Sequence, residues 1–408
     1  MKILLGVTGS IAAYKTFDIT RALVKAGHEV KVILTAGALE FVKAETYRYL
    51  GARDVYLPMD DFNLGKISKD QNVLHIELVK WADKLVIAPL SANTLSRLNL
   101  GITNDLLASI FIARGSLPTL LFPAMNTQMW NSEKTKKNIQ EITNKTTALI
   151  NPASGLLACG DIGEGKFPEV GAVCDLINTF SPGLTKNKKI IITAGATAAP
   201  LDPVRFLTNP SSGKMGLSVA KEFLAQGYEV NVLAGHQCTT EVNNLSLHPN
   251  FRLFRAPTTQ NMRDHAVRLF PEADLYISTG AIADIEFDVA IEKIKKESMT
   301  TALEYHQAAD ILKEILTLKK AHQKVVSFAA ETQTTKEVFE EKMNRKPVDL
   351  MVGNKVANGL VGSSEVEGFQ TESGSYYFVT TTNIQGPVPL TKKQVGEKLV
   401  SWFEGKSL

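Results

Sequence analysis

Glycines and small polar side chains follow three apolar runs in the first third of the chain. Gly9 and Ser10 come after the first run, Ser91–Thr94 after the second and Pro123–Asn126 after the third. Glycines let backbone N–H groups approach an anion, and the N-terminus of a following helix favours a phosphate. Gly9 and Ser10 could therefore hold a phosphate group, although the same residues also suit a plain tight turn.

Further residues of this half have side chains that can do chemistry. His75 stands just before a predicted helical stretch, Glu77–Trp81, and Cys159 lies in a glycine-rich stretch that ends at Gly165. Such a stretch can fold as a flap over a site. Taken singly, each residue also has an ordinary structural interpretation, since a lone cysteine is usually a small buried hydrophobe.

The second half also places small polar residues before a helix. Ser211–Gly213 could cap that helix and present an anion site, or could simply begin an ordinary capped helix. Asp284 follows a strand predicted over 274–279, and the lysine-rich stretch Lys293–Lys296 comes soon after. Such a cluster is usually a solvated face, but at the rim of a site it could hold a triphosphate.

The elements that must position these residues occur twice in the same order. Lys2–Val7 predicts a strand, followed by a turn, a helix that ends at Gly27 and a second strand. Lys189–Thr193 opens the same series, and Gly227 ends its helix. Each opening predicts a βαβ unit, and hence a parallel sheet with helices on both faces.

This repeat predicts the fold class and the domains. We expect two doubly wound, Rossmann-like α/β domains with parallel sheets in tandem, covering residues 1–184 and 185–408. A turn-rich polar stretch at 181–187 would join them. Ligands of such folds bind beyond the carboxyl ends of the strands, which is where the small polar clusters fall.

Composition and charge exclude several classes of partner. The 408 residues are 44% hydrophobic and 21% charged, with a formal net charge of +3, values typical of an ordinary globular protein. So small a charge gives no strong attraction to nucleic acid or membranes, and no apolar run is long enough to span a bilayer. Cys159, Cys174 and Cys238 are widely spaced and odd in number, which favours a reducing cytoplasm over a disulfide framework or a zinc site.

Several motifs of the first half occur together, and in this order, in one known family. The first half resembles the FMN-dependent phosphopantothenoylcysteine decarboxylases. The matching pieces are Gly6–Lys15, His75-Ile76, Ser91–Thr94, Asn104–Leu106, Pro123–Asn126 and Ala158–Asp161. The resemblance implies that FMN assists removal of the carboxyl group from a cysteine joined to phosphopantothenate. His75 would be the base, Asn126 would hold the substrate carboxylate and Cys159 would donate a proton.

The same resemblance implies a set of FMN contacts. They fall on Gly9, Ser10, Ile11, Thr35, Ser91, Asn93, Thr94, Asn104, Ala124 and Met125.

The second half resembles the phosphopantothenate–cysteine ligase domain, so the whole chain resembles the bifunctional coenzyme A biosynthesis family. The resemblance implies CTP and Mg²⁺, with the pantothenate carboxylate activated as an acyl-cytidylate and CMP displaced by the amine of cysteine. Asn209 would contact the acyl intermediate, Lys293 the phosphate and Asp284 the nucleotide. Further nucleotide contacts would come from Ser278, Thr279, Gly280, Phe328, Lys342 and Lys346, the last two as a lid. No Mg²⁺ ligand is assigned.

By the same resemblance we expect a homo-oligomer. The family's decarboxylase half builds its FMN site between subunits of a trimer, fused forms assemble into dodecamers of such trimers, and ligase halves pair as dimers. The other expected partners are small molecules: 4′-phosphopantothenate, cysteine and CTP.

Departures from the family pattern leave other functions open. Ala196, Ala199 and Lys355 replace a usual Gly, Glu and Asp, Ala308-Ala309 replaces Asn-Pro, and Ile285–Asp288 brings two extra carboxylates near the expected triphosphate. The chain could therefore be a decarboxylase with a degenerate or re-purposed ligase domain. It could also be a non-enzymatic flavoprotein that acts as a regulatory subunit, or, with weaker support, a flavin prenyltransferase.

Overall fold

The chain folds as two compact units, Met1–Leu184 and Thr185–Leu408. The computed structural model describes residues 1–63, 73–158, 160–295, 303–356 and 371–407. In this described part, no helix combines the length and the apolar character needed to cross a membrane.

The first unit is built on a sheet of six parallel strands. In chain order they are β1 (Lys2–Val7), β2 (Glu29–Leu34), β3 (Asp54–Tyr56), β4 (Lys84–Leu90), β5 (Thr119–Pro123) and β6 (Thr147–Leu149). Their order across the sheet is β3-β2-β1-β4-β5-β6, which confirms the doubly wound fold predicted from the sequence. Every residue of β4 is buried, because helices cover both faces of such a sheet and its central strands are near-continuous apolar runs.

The helices described in this unit follow the alternating pattern of the sequence. They are α1 (Lys15–Lys25), α2 (Ala36–Leu39), α3 (Ala44–Tyr49), α4 (Leu74–Trp81), α5 (Ala92–Asn99), α6 (Leu106–Ala113), α7 (Thr127–Asn131), α8 (Glu133–Ile142) and α9 (Val170–Thr179). A short 3-10 helix, Ile11–Tyr14, leads into α1. Because α4 begins at Leu74, His75 lies in its first turn, not before the helix as predicted. An antiparallel hairpin joins β7 (Ala153–Leu156) to β8 (Ile162–Lys166).

The second unit repeats the doubly wound order and extends it. Its sheet contains β9 (Lys189–Ala194), β12 (Glu229–Ala234), β13 (Phe251–Arg255), β14 (Leu275–Ser278), β17 (Lys324–Glu331), β18 (Leu350–Lys355), β19 (Ser373–Val379) and β20 (Ile384–Thr391). The order across the sheet is β13-β12-β9-β14-β17-β18-β19-β20.

This sheet is mixed, whereas the sequence predicted only parallel strands. β19 pairs antiparallel with both β18 and β20. The connection from Val379 to Ile384 explains the β19–β20 pair, because so short a link allows a hairpin but not the crossover that parallel strands need.

Short ladders and helices complete the second unit. β10 (Ala198–Pro200) pairs with β11 (Phe206–Thr208), and β15 (Ile285–Glu286) pairs with β16 (His306–Gln307). The described helices are α10 (Lys214–Ala225), α11 (Thr259–Leu269), α12 (Ile311–Leu318), α13 (Lys336–Arg345) and α14 (Lys392–Phe403).

Each unit contains the glycine turn between helix and strand that the repeated sequence pattern predicts. Gly27 follows α1 with a φ of 82°, and Gly227 follows α10 with a φ of 81°. Glycine enters this left-handed region without the Cβ clash of other residues, and so it ends a helix sharply. β2 and β12 then begin at Glu29 and Glu229.

A buried lysine connects the central sheet of the first unit to its last helix. Lys84, at the start of β4, is 2% exposed, and its ammonium donates to the carbonyl oxygens of Ile177 at 2.6 Å and Phe180 at 2.7 Å. These carbonyls lie at the C-terminal end of α9, where intrahelical donors run out and positive charge is favourable. Burial lowers the pKa of Lys84 to about 8.

We expect Lys84→Met to lower the free energy of unfolding of the first unit by about 1–3 kcal/mol, because two carbonyls lose their donor. The folded-state pKa of about 8 lies below the usual 10.5, so the unfolded chain binds more protons between those pH values. The stability contribution of Lys84 should therefore rise with pH across this window. Urea titrations below pH 8 and near pH 10.5 measure it as the difference between wild type and variant. If the difference in free energy of unfolding between wild type and Lys84→Met stays constant or falls as the pH rises, this explanation of the Lys84 contacts is wrong.

Candidate active sites

Thr8 connects the two loops that flank the centre of the first sheet. Its side chain is fully buried, and its hydroxyl donates to the carbonyl oxygen of Pro89 at 2.7 Å and accepts the N–H of Ser91 at 2.8 Å. β1 and β4 are the strands at which the strand order reverses, and ligands of doubly wound folds bind at this switch point. Thr8 therefore fixes the two backbone segments that border the expected site.

A cavity of about 810 Å³ opens at this switch point, within the size range of small-molecule sites. The predicted binding residues that line it are Gly9, Ser10, Ile11, Ser91, Asn93, Ala124, Met125 and Asn126. Sequence reasoning assigned no role to Tyr14, Lys15, Met129 and Glu169, which also line it, together with Lys166 and Phe167, which stand where the family usually has Arg and Met. The cavity thus combines two cations and several amide and hydroxyl groups with apolar side chains. Lys15 could have been found, because it begins the helix that follows the glycine turn.

Gly9 is required by a close approach of two backbone segments. A Cβ at this position would come within 3.0 Å of the backbone of Gly37, in α2. Packing alone therefore explains a glycine here, and the residue type is not by itself a sign of a bound phosphate.

Several of the predicted hydroxyl contacts serve as helix caps. The side chains of Ser10, Thr35 and Ser91 each accept a backbone N–H at the start of the helix that follows. Thr35 and Thr94 are both 3% exposed, and neither is among the residues that line the cavity. The structure therefore gives Thr35 and Thr94 a role in fixing the loops, while Ser10 and Ser91 both cap a helix and face the cavity.

Asn126 caps α7, the helix that contacts the hairpin β7–β8. Its side-chain oxygen accepts the N–H of Gln128 at 2.8 Å. The hydroxyl of the next residue, Thr127, donates to the carbonyl oxygen of Glu164 at 2.7 Å. About one turn further, the indole N–H of Trp130 donates to the Glu164 carboxylate at 3.1 Å. These bonds attach the hairpin to α7, next to the cavity.

The hairpin is the glycine-rich stretch that the sequence predicted to form a flap. Leu156, Leu157 and Ala158 line the cavity. Cys159 lies outside the described residues, so its role as proton donor stays a prediction.

His75 does not line the cavity of its own chain, whereas Asn126 does. One chain therefore does not bring these two predicted side chains together. The reason is that α4 packs Leu74 and Leu78 into the core shared with α6, which holds His75 away from the lining. Its Nδ1 lies 2.8 Å from the carboxylate of Asp61. Nothing in the sequence marked Asp61, because it lies 14 residues from His75 and no local pattern pairs the two.

Asn104 also lies outside the cavity lining. Its side-chain oxygen accepts a hydrogen bond from Arg97, and Arg97 also pairs with Asp105 at 2.6 Å. Asp105 in turn caps α6. Within one chain, these residues act together to fix the start of α6.

Thr193 makes a comparable connection in the second unit. Its hydroxyl accepts the N–H of Gly280 at 3.0 Å, and its carbonyl oxygen accepts the hydroxyl of Thr279 at 2.5 Å. β9 and β14 are the strands at which this second sheet reverses its order. The loop after β14 is therefore tied to β9 at the switch point, as in the first unit.

A smaller cavity, of about 150 Å³, lies at this second switch point. Thr279, Gly280 and Phe328 line it as predicted for nucleotide contacts. The lining also contains the stretch suggested as an anion site, Ser211–Gly213, together with residues that sequence reasoning missed: Lys214, Asn354, Tyr376 and Lys392. Lys392 is 6% exposed and donates to the carbonyl oxygen of Thr371.

Other predicted nucleotide contacts lie outside the lining of this cavity. Ser278 ends β14, Asn209 and Lys293 are exposed, and Asp284 is exposed with its carbonyl oxygen accepting the N–H of Ala308 at 2.9 Å. The side-chain amide of Asn209 is 3.5 Å from the carbonyl oxygen of Ala281, in the loop that follows β14.

The two predicted lid lysines are engaged by carboxylates. Lys342 pairs with Glu331, and Lys346 lies 2.7 Å from Asp310. Although burial opposes it, the hydrogen bond from Lys346 helps to lower the pKa of Asp310. Sequence alone could not show these pairs, because they depend on how the chain packs: Lys342 is 11 residues from Glu331, and Lys346 is 36 residues from Asp310.

Asp202 anchors the loop that contains Lys293. Its carboxylate accepts the guanidinium of Arg205 at 2.5 Å and the N–H of Ile294 at 3.1 Å. Arg205 also donates to the carbonyl oxygen of Ile294 at 2.8 Å. The guanidinium and the backbone N–H groups hold the pKa of Asp202 well below its usual range. The position of Lys293 is thus set by its neighbour Ile294.

In the described part of the chain, no group of three or more His, Cys, Asp or Glu side chains could hold a metal ion.

Comparisons with known proteins match the two units separately and together. The Flavoprotein family model matches residues 1–181, and the model of the DNA/pantothenate metabolism flavoprotein C-terminal domain matches residues 185–405. The coenzyme A biosynthesis bifunctional protein CoaBC of Haemophilus influenzae is 34% identical over 375 residues, covering 90% of each chain. That of Bacillus subtilis is 35% identical over 366 residues, covering 88% of this chain and 86% of the relative. Among solved structures, the FMN binding protein AtHal3 is 35% identical, with a TM-score of 0.37. The match covers 43% of this chain and 94% of the AtHal3 chain.

We expect Thr8→Val to lower the free energy of unfolding by about 1–3 kcal/mol, because a buried N–H and a carbonyl oxygen both lose their partner. Thr20→Val is the matched control, since the Thr20 hydroxyl is also buried but has no hydrogen-bond partner. It should leave the free energy of unfolding unchanged or raise it, because a buried hydroxyl without a partner costs stability. Urea denaturation measures both. Equal losses in the two variants would show that the Thr8 bonds do not support the switch point.

Proposed function

The chain belongs to the family of bifunctional coenzyme A biosynthesis proteins, and we propose that it makes 4′-phosphopantetheine in two steps. The second unit joins 4′-phosphopantothenate to cysteine with CTP, and the first unit decarboxylates the product with FMN. The observation that carries the proposal is the match of both units, over nearly the whole chain, to relatives named as bifunctional. That whole-length match does not favour a degenerate ligase domain or a purely regulatory flavoprotein.

The residues around the first cavity fit FMN. Its volume of about 810 Å³ can hold a tricyclic ring and a ribityl phosphate. Ile11, Met125 and Phe167 supply apolar surface for a ring, while Lys15 and the N–H groups after Gly9 supply an anion-binding site. When bound, FMN supplies a reversible two-electron oxidation of the cysteinyl thiol, which makes the loss of CO₂ easy.

The chain's own residues bind the substrate, exclude water and handle protons. Asn126, with its side chain held at the start of α7, holds the substrate carboxylate. The hairpin β7–β8 lies against the cavity and excludes water from it. His75 accepts the thiol proton, and Cys159 donates the proton that completes the product. The roles of these three side chains come from the family resemblance, and the placement of Asn126 in the cavity lining supports its role.

In the second unit, the groups around the small cavity suit an anionic substrate. Ser211–Gly213 precede α10, whose N-terminus favours negative charge, and Lys214 adds a cation. A cavity of about 150 Å³ is too small for a whole nucleotide, so we infer that binding of CTP rearranges the side chains around it. Lys342 and Lys346 would then exchange their carboxylate partners for phosphates. Mg²⁺ would enter with the triphosphate, because it usually keeps several waters and binds through substrate phosphates.

We further propose a trimer-based homo-oligomer in which His75 reaches the first cavity of a neighbouring subunit. Exposed apolar side chains support this. Met59 and Phe62, beside Asp61, are 62% and 78% exposed, and Ile11 and Tyr14, at the cavity, are 56% and 55% exposed. Apolar surface of this kind often marks an interface between chains.

We also propose that the protein acts in the cytoplasm. The free thiols of Cys174 and Cys238 support this location, because a reducing compartment keeps thiols unpaired.

Variants of the two asparagines should separate the two reactions. With 4′-phosphopantothenate, cysteine, CTP and Mg²⁺, we expect Asn209→Ala to lower CMP release by about 100-fold or more, since a preorganised polar contact to the reacting group is lost. It should leave decarboxylation of supplied phosphopantothenoylcysteine intact. Asn126→Ala should do the reverse and accumulate phosphopantothenoylcysteine. Chromatography of CMP and mass spectrometry of the thiols measure both steps. A wild-type protein that releases no CMP, or that leaves phosphopantothenoylcysteine unchanged, would refute the corresponding half of the proposal.

Complementation tests the shared site. His75→Asn and Asn126→Ala should each be inactive in decarboxylation alone. Co-expressed, they should recover about a quarter of the wild-type rate, because a site built from two subunits takes both intact residues in about one arrangement out of four. The rate is measured on the co-purified mixed oligomer. If it does not exceed the sum of the two single variants, His75 and Asn126 do not meet across subunits.

A further inference from the structure

We propose that Asp61 is a positioning residue for the decarboxylation: it fixes the tautomer of His75, so that the imidazole exchanges protons only at Nε2. This inference rests on the proposed function, because the catalytic role of His75 comes from there. It adds a residue that carries no role in the family resemblance.

Both oxygens of Asp61 contact His75. Nδ1 of the ring lies 2.8 Å from Oδ2 and 3.0 Å from Oδ1, and Oδ1 also accepts the backbone N–H of His75 at 3.2 Å. An ionised carboxylate can only accept hydrogen bonds, so Nδ1 must carry the proton in the neutral ring. The basic lone pair is then on Nε2. The added bond to the backbone fixes the ring relative to the helix, so both tautomer and orientation are set by one side chain.

The ring is sheltered but reachable. The side chain of His75 is 25% exposed and that of Asp61 is 11% exposed. A ring with this exposure can meet a substrate, while its partner carboxylate is largely shielded from water. That shielding strengthens the charge-assisted bond between them.

Charged residues on the neighbouring elements do not replace Asp61. The 3-10 turn Asp60–Phe62 also carries Asp60, but that carboxylate accepts the N–H of Leu57 at 2.7 Å. On α4 the charged residues are Glu77 and Lys80, and at the two ends of α6, which packs against α4, they are Asp105 and Arg114. Among the contacts of the described residues, the carboxylate that meets the imidazole is that of Asp61.

The hydrogen bond to Asp61 is kept throughout the proton transfer. When the substrate thiol gives up its proton, that proton moves to Nε2, while Nδ1 keeps its own proton and its contact with the carboxylate. The ring therefore need not turn during the step, because the same side chain holds it before and after the transfer.

Asp61→Asn tests the proposal in the full-length oligomer. An amide can donate to Nδ1 and so stabilises the wrong tautomer as well. We expect kcat for decarboxylation of phosphopantothenoylcysteine to fall on the order of 10- to 100-fold, a part of what general base catalysis contributes, with KM changed by less than about twofold. Asp60→Asn, in the same turn, should keep kcat within about threefold, and Asp61→Glu should recover part of the loss.

The tautomer itself can be observed by ¹⁵N NMR of histidine-labelled protein, with the His75 signals assigned from the His75→Asn spectrum. The wild type should carry its proton on Nδ1, and Asp61→Asn should lose that preference. An Nε2–H tautomer in the wild type, or an unchanged kcat in Asp61→Asn, would overturn the proposal. If the wild type does not decarboxylate at all, the proposed function fails, and the NMR measurement alone decides the role of Asp61.

Discussion

A buried threonine hydroxyl in each unit maintains the pairing of the two central strands beyond the point where their backbone ladder ends. β1 and β4 pair as far as Gly6 and Ile87, and beyond them Thr8 bonds to the loop after β4. Parallel strands must part at a switch point, because the chain leaves them in opposite directions. Without a bridging side chain, the backbone groups of the parting loops would lose their partners. β9 and β14 pair as far as Thr193 and Ser278. Beyond this point, the Thr193 hydroxyl accepts the N–H of Gly280, in the loop after β14.

The same framework supports two different kinds of cavity. In the first unit the loops enclose a wide space lined by apolar, amide and hydroxyl groups, with the hairpin β7–β8 beside it. In the second unit the cavity is small, and the two lysines predicted to form a lid pair with Glu331 and Asp310. Under the proposed function, the first cavity receives a planar ligand without such a change, whereas the second unit exchanges these ion pairs when it binds a triphosphate. Function differs between the units because of what the loops carry, not because of the sheet.

Much of the fold followed from the sequence, because apolar runs, glycine stops and their repetition are local signals. Gly27 and Gly227 are examples, since a positive φ after a helix depends on the residue itself. The antiparallel strands β19 and β20 were not predicted, since pairing direction depends on contacts between distant segments. At the sites, residues from several strand ends line a common cavity, while Thr35 and Thr94 are buried outside its lining and Thr35 caps α2. Capping and ligand binding use the same residue types, and sequence cannot separate them.

Partner residues were the least predictable part of both sites. Asp61, Glu331 and Asp310 meet His75, Lys342 and Lys346 through the path of the chain, which no local pattern encodes. The placement of His75 outside its own chain's cavity lining is a result of the same kind, because it depends on how Leu74 and Leu78 pack α4 into the core.

The central claim is that the switch point held by Thr8 is a flavin site. The absorption spectrum of the purified full-length protein tests it most directly, with FMN released by denaturation and quantified against the protein. The account predicts visible flavin absorbance and about one FMN per chain after reconstitution, since each chain contributes one such cavity. A protein that stays colourless and retains no FMN after incubation with it would contradict the account.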